Sequence, residues 1–132
     1  MNLKIIKCYG NKTIKGVIVM KLVKLKDAQE FSNSDKCKGI EYPLGDKDIN
    51  FSIATIKGRY PDSGYCFNEK CKELIYVIEG NGSLNKKDEK VDFNKGDVIL
   101  IDKGEVFYWD AQCTIAMPCT PAWTPEQHKL VE

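Results

Sequence analysis

The sequence predicts an all-β domain, built as a barrel or a sandwich of short strands. Runs of apolar, β-branched and aromatic residues recur every ~8–15 residues, and turn-forming residues separate them. Helical periodicity is hard to find in the same stretches. The 132 residues suffice for one buried core, and the sequence contains no internal repeat, low-complexity stretch or linker. We therefore expect a single domain over residues 1–132.

Strands are predicted along most of the chain. Residues 14–25 read as one or two strands, and residues 50–56 alternate polar and apolar side chains as a half-buried strand does. A β-branched and aromatic strand follows at residues 73–79, and the Gly-Asn-Gly sequence at residues 80–82 predicts a tight hairpin. A turn is predicted at residues 94–97, and the remaining strands at residues 88–93, 98–101, 105–109 and 114–117.

The two ends of the chain are expected to differ from this strand pattern. Residues 20–25 look like a natural protein start, so residues 1–19 are expected to be an extension or an additional pairing strand. Helix is expected only as short pieces near the termini. One is predicted at residues 26–31 and one at residues 125–130, where Thr124 is placed to cap and Pro125 takes the first position.

Composition and charge exclude several classes of function. The net charge is +1, so no electrostatic footprint indicates a nucleic-acid partner. No apolar run approaches the ~18 residues that cross a bilayer, and none near the start suits a secretory signal. We expect no membrane association and a cytoplasmic location. The six Cys form no C-x2-C pair, which favours buried free thiols over a zinc ribbon or disulfides.

Two spaced elements in the second half of the chain resemble a known pair of motifs. Glu73 and Gly80 form E-x6-G, and Gly96 and Gly104 form G-x5-x-x-G with Asp102 where the motif has Pro. These elements resemble the end of the first and the start of the second cupin motif. The resemblance covers about residues 50–118. It implies a cupin-like jelly-roll β-barrel, with short helical pieces at the termini and an interior that holds a ligand or a metal.

Metal-binding members of the cupin superfamily hold their ion with three His and one Glu, and this sequence departs from that set. Glu73 matches the Glu, but the three His positions fall on Cys66, Asn68 and Phe107. No cofactor is therefore expected. If a divalent metal does bind, Cys66, Asn68 and Glu73 are its expected ligands, although they make a thin first shell.

The residues around the missing ligands predict a pocket for a small molecule. Strand alternation places Phe107 and Trp109 on the face where second-motif ligands sit, with Tyr108 facing the other way. Together with Asn68 and Glu73 they form an apolar pocket with few polar groups, and the alternative is that the aromatic residues only fill the core. Glu73 is the candidate catalytic residue because burial raises the pKa of a carboxyl; the alternative is a structural carboxylate paired with Lys, Arg or Tyr.

The C-terminal segment carries three prolines between residues 118 and 125, which stiffen it into an extended path. Such a segment is expected to fold over the barrel mouth and bring Trp123, Glu126 or His128 to the pocket. Trp123 is the candidate ligand-binding residue among them. The competing expectation for His128 is an exposed residue of the terminal helix.

Three functions remain open at this stage. The leading hypothesis is a cupin-like protein that binds a small polar or sugar-like ligand without the usual His-based metal site. The second is a metal-independent enzyme, similar to sugar isomerases or epimerases, that uses Glu73 as acid and base. The third is a structural barrel. The expected partners are a small-molecule ligand and a second copy of the chain, since cupins form homodimers through strands such as residues 17–20.

Overall fold

The computed structural model describes residues 20–132 and confirms the all-β class. Two short 3-10 turns, Leu25–Asp27 and Pro125–Gln127, are its helical pieces in this range. The strands are β1 (Gln29–Ser34), β2 (Cys37–Tyr42), β3 (Asn50–Tyr60), β4 (Tyr65–Asn68), β5 (Lys72–Asn85), β6 (Lys90–Asn94), β7 (Val98–Ile101), β8 (Tyr108–Thr120) and β9 (His128–Val131).

The strands form two antiparallel sheets in the predicted jelly-roll arrangement. Seven strands share the larger sheet in the order β1-β2-β3-β8-β5-β6, and β7 pairs with β5 beside this path. The smaller sheet contains β4 and β9. A bridge between Cys66 and Phe107 joins β4 to the segment that enters β8, with backbone hydrogen bonds of 2.8 and 2.9 Å in both directions. The C-terminal strand is thereby anchored beside the start of β8.

The core lies between the inward faces of the long strands. Every second side chain is buried over residues 72–77 of β5 and residues 108–115 of β8. Ile56, Ile75, Val77 and Ile115 are at most 1% exposed and form its centre. The outward side of β5 and β7 carries exposed apolar residues in two cross-strand pairs, Leu74 with Leu100 and Tyr76 with Val98.

The predicted hairpin at residues 80–82 is wrong. Strand β5 runs through these residues to Asn85, and after a bulge between Val77 and Glu79 it pairs with β8 at every residue to that end. Gly80 has φ +84° and lies against the backbone of Gln112, where a Cβ atom would collide with its carbonyl oxygen. The glycine therefore permits a close approach of two strands rather than a chain reversal.

Several other predictions near the turns are confirmed. Strand β7 has the predicted bounds, and residues 94–97 form the predicted turn. In that turn the Asn94 backbone N–H donates to Asp97 Oδ2 at 2.8 Å, and Gly96 has φ +89°. The strand predicted at residues 105–109 begins only at Tyr108, and it continues through the one predicted at residues 114–117 as a single strand.

The helical pieces are shorter than predicted. The first ends at Asp27, because β1 begins at Gln29 and pairs with β2. The second ends at Gln127, because His128 already belongs to β9. Pro125 occupies the expected first position, but the Thr124 side chain makes no capping hydrogen bond.

The strand prediction for residues 14–25 is wrong where the structure describes it, since residues 20–24 lack regular structure and a 3-10 turn begins at Leu25. Residues 14–19, the predicted pairing strand at residues 17–20 except for Met20, and the possible extension over residues 1–19 lie outside the described residues. Within residues 20–132 there is no helix with the length and apolar character that crossing a bilayer requires.

Candidate functional site

The strands of the jelly roll and the C-terminal segment enclose a cavity of about 80 Å³. Its inner part is lined by Ile56, Cys66 and Ile115, which are at most 1% exposed. Trp123 and His128 from the C-terminal segment also line it and are only half-buried, so the cavity opens on their side. One water occupies about 10–15 Å³ of a cavity volume of this kind, so the cavity has room for several waters or for a small organic group.

Strand β3 turns its smaller and more polar residues toward the cavity. The alternation predicted for residues 50–56 is present, but Phe51 and Ile53 are the half-buried residues of the opposite face. Within residues 50–56, the residues that face the cavity are Asn50, Ser52, Ala54 and Ile56. Short side chains at the first three positions leave space that larger residues would fill.

Most of the predicted site residues meet at this cavity. Glu73, Phe107, Trp109 and Trp123 all line it. Asn68 is 1% exposed and does not line the cavity, but its side chain is hydrogen-bonded to His128, which does.

The aromatic side chains form perpendicular walls. The Phe107 and Trp109 rings lie 6.3 Å apart at an interplanar angle of 81°. Phe93 supports the Trp109 ring in the same edge-to-face manner, at 5.7 Å and 83°. Tyr108 points away, as alternation requires, and stacks under the Arg59 guanidinium, whose central carbon lies 3.9 Å from the ring centre. The edge-to-face contacts hold the cavity walls in place.

A chain of hydrogen bonds connects the backbone to the cavity through four side chains. Gln127 Oε1 accepts the backbone N–H groups of Lys70 and Cys71 at 3.2 and 3.3 Å, which leaves Gln127 Nε2 to donate to Asn68 Oδ1 at 2.9 Å. The same Asn68 oxygen lies 2.9 Å from His128 Nδ1, so that ring nitrogen carries the proton. His128 Nε2 is then the acceptor for the Tyr60 hydroxyl, 2.9 Å away.

This chain leaves one buried donor without a partner. Asn68 Nδ2 makes no hydrogen bond of acceptable geometry, because the orientation of the amide is fixed by its oxygen. It is near enough to the Glu73 carboxyl to lower the pKa of that group. If the Asn68 side chain moved slightly toward an ionised Glu73, Nδ2 would donate a hydrogen bond to the carboxylate, and both buried groups would have a partner.

Glu73 is the carboxyl whose environment differs most from water. Burial raises the pKa of Glu73 to about 7, and the nearby Asn68 amide opposes only part of this shift. None of the ion pairs within residues 20–132 includes Glu73. The group therefore changes protonation near neutral pH, which is the range that a general acid or base requires.

The other titratable groups at the cavity are held in their neutral forms. Burial raises the pKa of Cys37 to about 12 and moves the pKa values of Cys66 and Tyr60 above their usual ranges. Burial also lowers the pKa of His128, so its imidazole is uncharged at neutral pH.

The central part of the chain matches a known protein family. The model of the EutQ-like cupin domain matches residues 59–116, from the end of β3 into β8. Residues 59–116 are therefore a cupin domain. No curated protein matches the sequence.

Solved structures show the same cupin fold at low sequence identity. Pac13, a nucleoside dehydratase, is similar with a TM-score of 0.75 and 15% identity, over 86% of this chain and 92% of that chain. A Streptomyces Pac13 with uridine gives the same values. The polyketide cyclase RemF from Streptomyces resistomycificus has a TM-score of 0.65 and 18% identity, over 86% of each chain. KdgF from Halomonas sp. has a TM-score of 0.64 and 12% identity, over 81% of this chain and 97% of that chain.

The residues at the cupin metal positions do not fit a conventional metal centre. Phe107 offers no ligand atom and packs against Trp109. Burial raises the pKa of the Cys66 thiol, which opposes the thiolate that a metal requires. The Asn68 oxygen already accepts two hydrogen bonds. Only Glu73 remains of the family's set.

A different group of buried donors lies beside Glu73. The ligand atoms of Cys71, Glu73 and Cys119 all lie within 4.8 Å of one another, and Cys66 is not among them. The three residues share one face because Glu73 pairs directly with Cys119 across β5 and β8. A hydrogen bond from Cys119 to the Cys71 sulfur lowers the pKa of Cys71 and raises that of Cys119. These would be the residues to hold a thiophilic ion such as Zn²⁺.

Tyr60 was not selected from the sequence, whereas His128 was named both as a residue that the tail brings to the pocket and as an exposed helix residue. The structure places Tyr60 and His128 at the cavity. They lie 68 positions apart and meet only because β9 pairs with β4. No local signal reveals this pairing, because residues 128–131 suit the end of a helix as well as a strand. Glu126, the remaining candidate of the tail, is exposed and does not line the cavity.

Proposed function

We propose that this cupin binds a small polar ligand in its cavity without a His-based metal centre. The observation that carries the proposal is an open cavity with aromatic walls and a few converging polar groups, which is the usual composition of a small-molecule site. Phe107 and Cys66 stand there in place of metal ligands. Sugar-like molecules are one suitable class, because aromatic faces stack on sugar rings. The uridine complex of Pac13 supports a small organic molecule as an occupant of this fold.

A cavity-filling substitution tests this proposal. Metal-free protein is titrated with monosaccharides, small amines and nucleosides including uridine, followed by calorimetry and tryptophan fluorescence. Ser52→Leu extends a larger side chain into the cavity from β3 and is expected to weaken binding at least about tenfold, or ~1.4 kcal/mol. Ile53→Leu is the matched control, because Ile53 lies on the opposite face of the same strand. Equal binding by the wild type and Ser52→Leu would place the ligand elsewhere.

Metal analysis tests the second half of the proposal. Protein purified without added metal is expected to contain no stoichiometric Fe, Mn, Ni or Zn. A stoichiometric ion that persists after purification would overturn the metal-free interpretation. Loss of that ion in Cys119→Ser would then assign it to Cys71, Glu73 and Cys119.

A second candidate function is acid–base catalysis of the isomerase or epimerase type. It is favoured by two proton-handling groups at one cavity: Glu73, with a pKa of about 7, and the Tyr60–His128–Asn68 chain of hydrogen bonds. Glu73 would remove a proton next to a substrate carbonyl. The Tyr60 hydroxyl would turn its proton from His128 Nε2 to the substrate oxygen that gains negative charge. Tyr60 and Glu73 both line the cavity.

Solvent exchange tests this candidate without knowledge of the product. Carbonyl-containing sugars are incubated with the protein in D₂O, and NMR follows deuterium entering at the carbon beside the carbonyl. Glu73→Gln is expected to slow the exchange by about 10²-fold or more, because a positioned base contributes 10²–10⁴-fold. Absence of exchange with all sugars, or an unchanged rate in Glu73→Gln, would exclude this activity.

A further inference from the structure

We propose that the ligand of this cavity is a small organic cation whose ammonium group lies among the aromatic rings beside Glu73. This inference rests on the proposed binding function and names the chemical class of its ligand. The observations that carry it are the sign of the charges at the cavity, the arrangement of the rings and the burial of the carboxylate.

The charged side chains at the cavity are acidic. Glu41 is half-buried and Glu73 is 5% exposed, and both line the cavity. No Lys or Arg lines it in the part of the chain that the structure describes. An anionic ligand would meet two carboxylates with no compensating cation, at a site where burial strengthens the repulsion. A cation instead supplies the partner that Glu73 lacks within residues 20–132.

The remaining polar groups do not supply positive charge. The His128 ring gives its Nδ1 proton to Asn68 and accepts from Tyr60, which is the pattern of a neutral imidazole. Burial lowers the pKa of His128 in agreement with this pattern. Asn68 Nδ2 is a buried donor without a hydrogen-bond partner. The nearby Glu73 carboxylate, when ionised, is an acceptor for it. The surroundings therefore favour an ionised carboxylate once a cation is bound.

The rings are arranged as the walls of a cation site. Phe107 and Trp109 pack against each other at 81°, so a group in the corner of the cavity that they form contacts the face of one ring and the edge of the other. Trp123 lines the more open side, and its ring is tilted by 47° from the His128 ring at a centroid distance of 5.6 Å. Aromatic faces attract cations, and sites built from several such rings recognise quaternary ammonium groups. An alkylated ammonium suits this cavity better than a strongly hydrated ion, because less water has to be removed.

Three molecules of one shape and different charge test the inference. Choline carries a trimethylammonium group; its uncharged isostere carries a tert-butyl group in that place; the third molecule is the carboxylate with the same tert-butyl group. Binding to the metal-free protein is measured by calorimetry. Choline is expected to bind at least about tenfold more tightly than the uncharged isostere, and the carboxylate more weakly than both.

Two variants locate the interaction. Glu73→Gln keeps the shape of the side chain and removes its charge, so choline binding should weaken at least about tenfold while binding of the uncharged isostere changes less than about twofold. Trp123→Leu keeps an apolar side chain and removes the ring, so choline should again lose more affinity than its isostere. Glu126→Gln is the control, since Glu126 is exposed and does not line the cavity.

The outcomes separate this inference from the proposed function. Equal or tighter binding of the uncharged isostere or of the carboxylate overturns the cation. A neutral sugar or nucleoside that binds in the cavity, in protein that does not bind choline, also overturns the cation but leaves the proposed function standing. If none of the sugars, amines and nucleosides and none of the three test molecules binds, the proposed function and the cation are both wrong. The same follows if molecules bind but Ser52→Leu leaves their binding unchanged.

Discussion

At the scale of single residues, Glu73 has the environment with the clearest consequence for stability. Its folded-state pKa of about 7 lies above the usual carboxyl pKa of 4.5, so between these pH values the folded protein holds a proton that the unfolded chain has released. Stability from this group is therefore present at low pH and falls as pH rises from about 4.5 to 7. A carboxyl pKa that rises from 4.5 to about 7 on folding changes the unfolding free energy by roughly 3 kcal/mol across this pH range.

Urea denaturation at a series of pH values measures this effect. Between pH 5 and 8 the wild type is expected to lose roughly 2–3 kcal/mol of unfolding free energy that Glu73→Gln does not lose. The lowered pKa of His128 has the opposite effect, because it reduces the unfolding free energy as pH falls below about 6.5. This effect is present in both proteins. Glu126→Gln, at an exposed position, should follow the wild type. Parallel curves for wild type and Glu73→Gln would show that Glu73 has an ordinary pKa.

At the scale of structural elements, the glycines of β5 permit a close contact between strands. Gly80 and Gly96 both have positive φ, of +84° and +89°, but only Gly80 lies against another strand. Gly96→Ala therefore incurs the backbone cost alone, about 1–2 kcal/mol. Gly80→Ala adds a collision with the Gln112 backbone and is expected to cost at least about 2 kcal/mol more. Equal midpoints for the two variants in urea would contradict the close approach.

Gln127 is the residue that fastens the C-terminal segment. Its side chain is 3% exposed, accepts hydrogen bonds from the backbone N–H groups of Lys70 and Cys71, and donates one to Asn68. Gln127→Ala leaves buried donors unpaired and is expected to lower the unfolding free energy by about 2–4 kcal/mol. The neighbouring Glu126→Ala is exposed and should stay within about 0.5 kcal/mol of the wild type. A similar small effect of both would show that the segment is held elsewhere.

The sequence predicted the elements whose signals are local and missed those set by distant contacts. The turn at residues 94–97 and strand β7 follow from neighbouring residues alone, and both are present. Gly80 has the same local signal as a hairpin glycine, and only the position of Gln112 decides between a turn and a close strand pair. Similarly, no local pattern distinguishes the start of β9 at His128 from the last turn of a helix.

The candidate site shows the same division. Motif spacing was sufficient to select Glu73 and Phe107, and alternation then selected Trp109; the structure places all three at the cavity. The hydrogen bond between Tyr60 and His128 could not be predicted, because it depends on the pairing of β4 with β9. The polar face of β3 was visible in the sequence, but which face is buried depends on the neighbouring strands.

At the scale of the whole molecule, the expected homodimer stays a prediction. The outward face of β5 and β7 exposes Leu74, Tyr76, Val98 and Leu100, which are 46–63% accessible. Light scattering with and without residues 1–19 measures the mass in solution and tests whether that segment pairs the copies. Twice the chain mass of 15.0 kDa is the expected result for the full chain. A monomer would contradict it, and a dimer that survives the deletion would exclude residues 1–19 as its cause.

The stability of the whole molecule decides between a metal-free core and one held by an ion. An ion present at about 100 times its dissociation constant contributes ~2.7 kcal/mol, so its removal would lower Tm by at least about 5 °C in a chain of this length. Because the centre of the core is apolar, we expect EDTA to change Tm by less than about 1 °C. The measurement is calorimetry of wild type and Cys119→Ser before and after chelation. A fall in Tm on chelation that occurs in the wild type and not in Cys119→Ser would contradict this expectation. It would identify Cys71, Glu73 and Cys119 as the site of the ion.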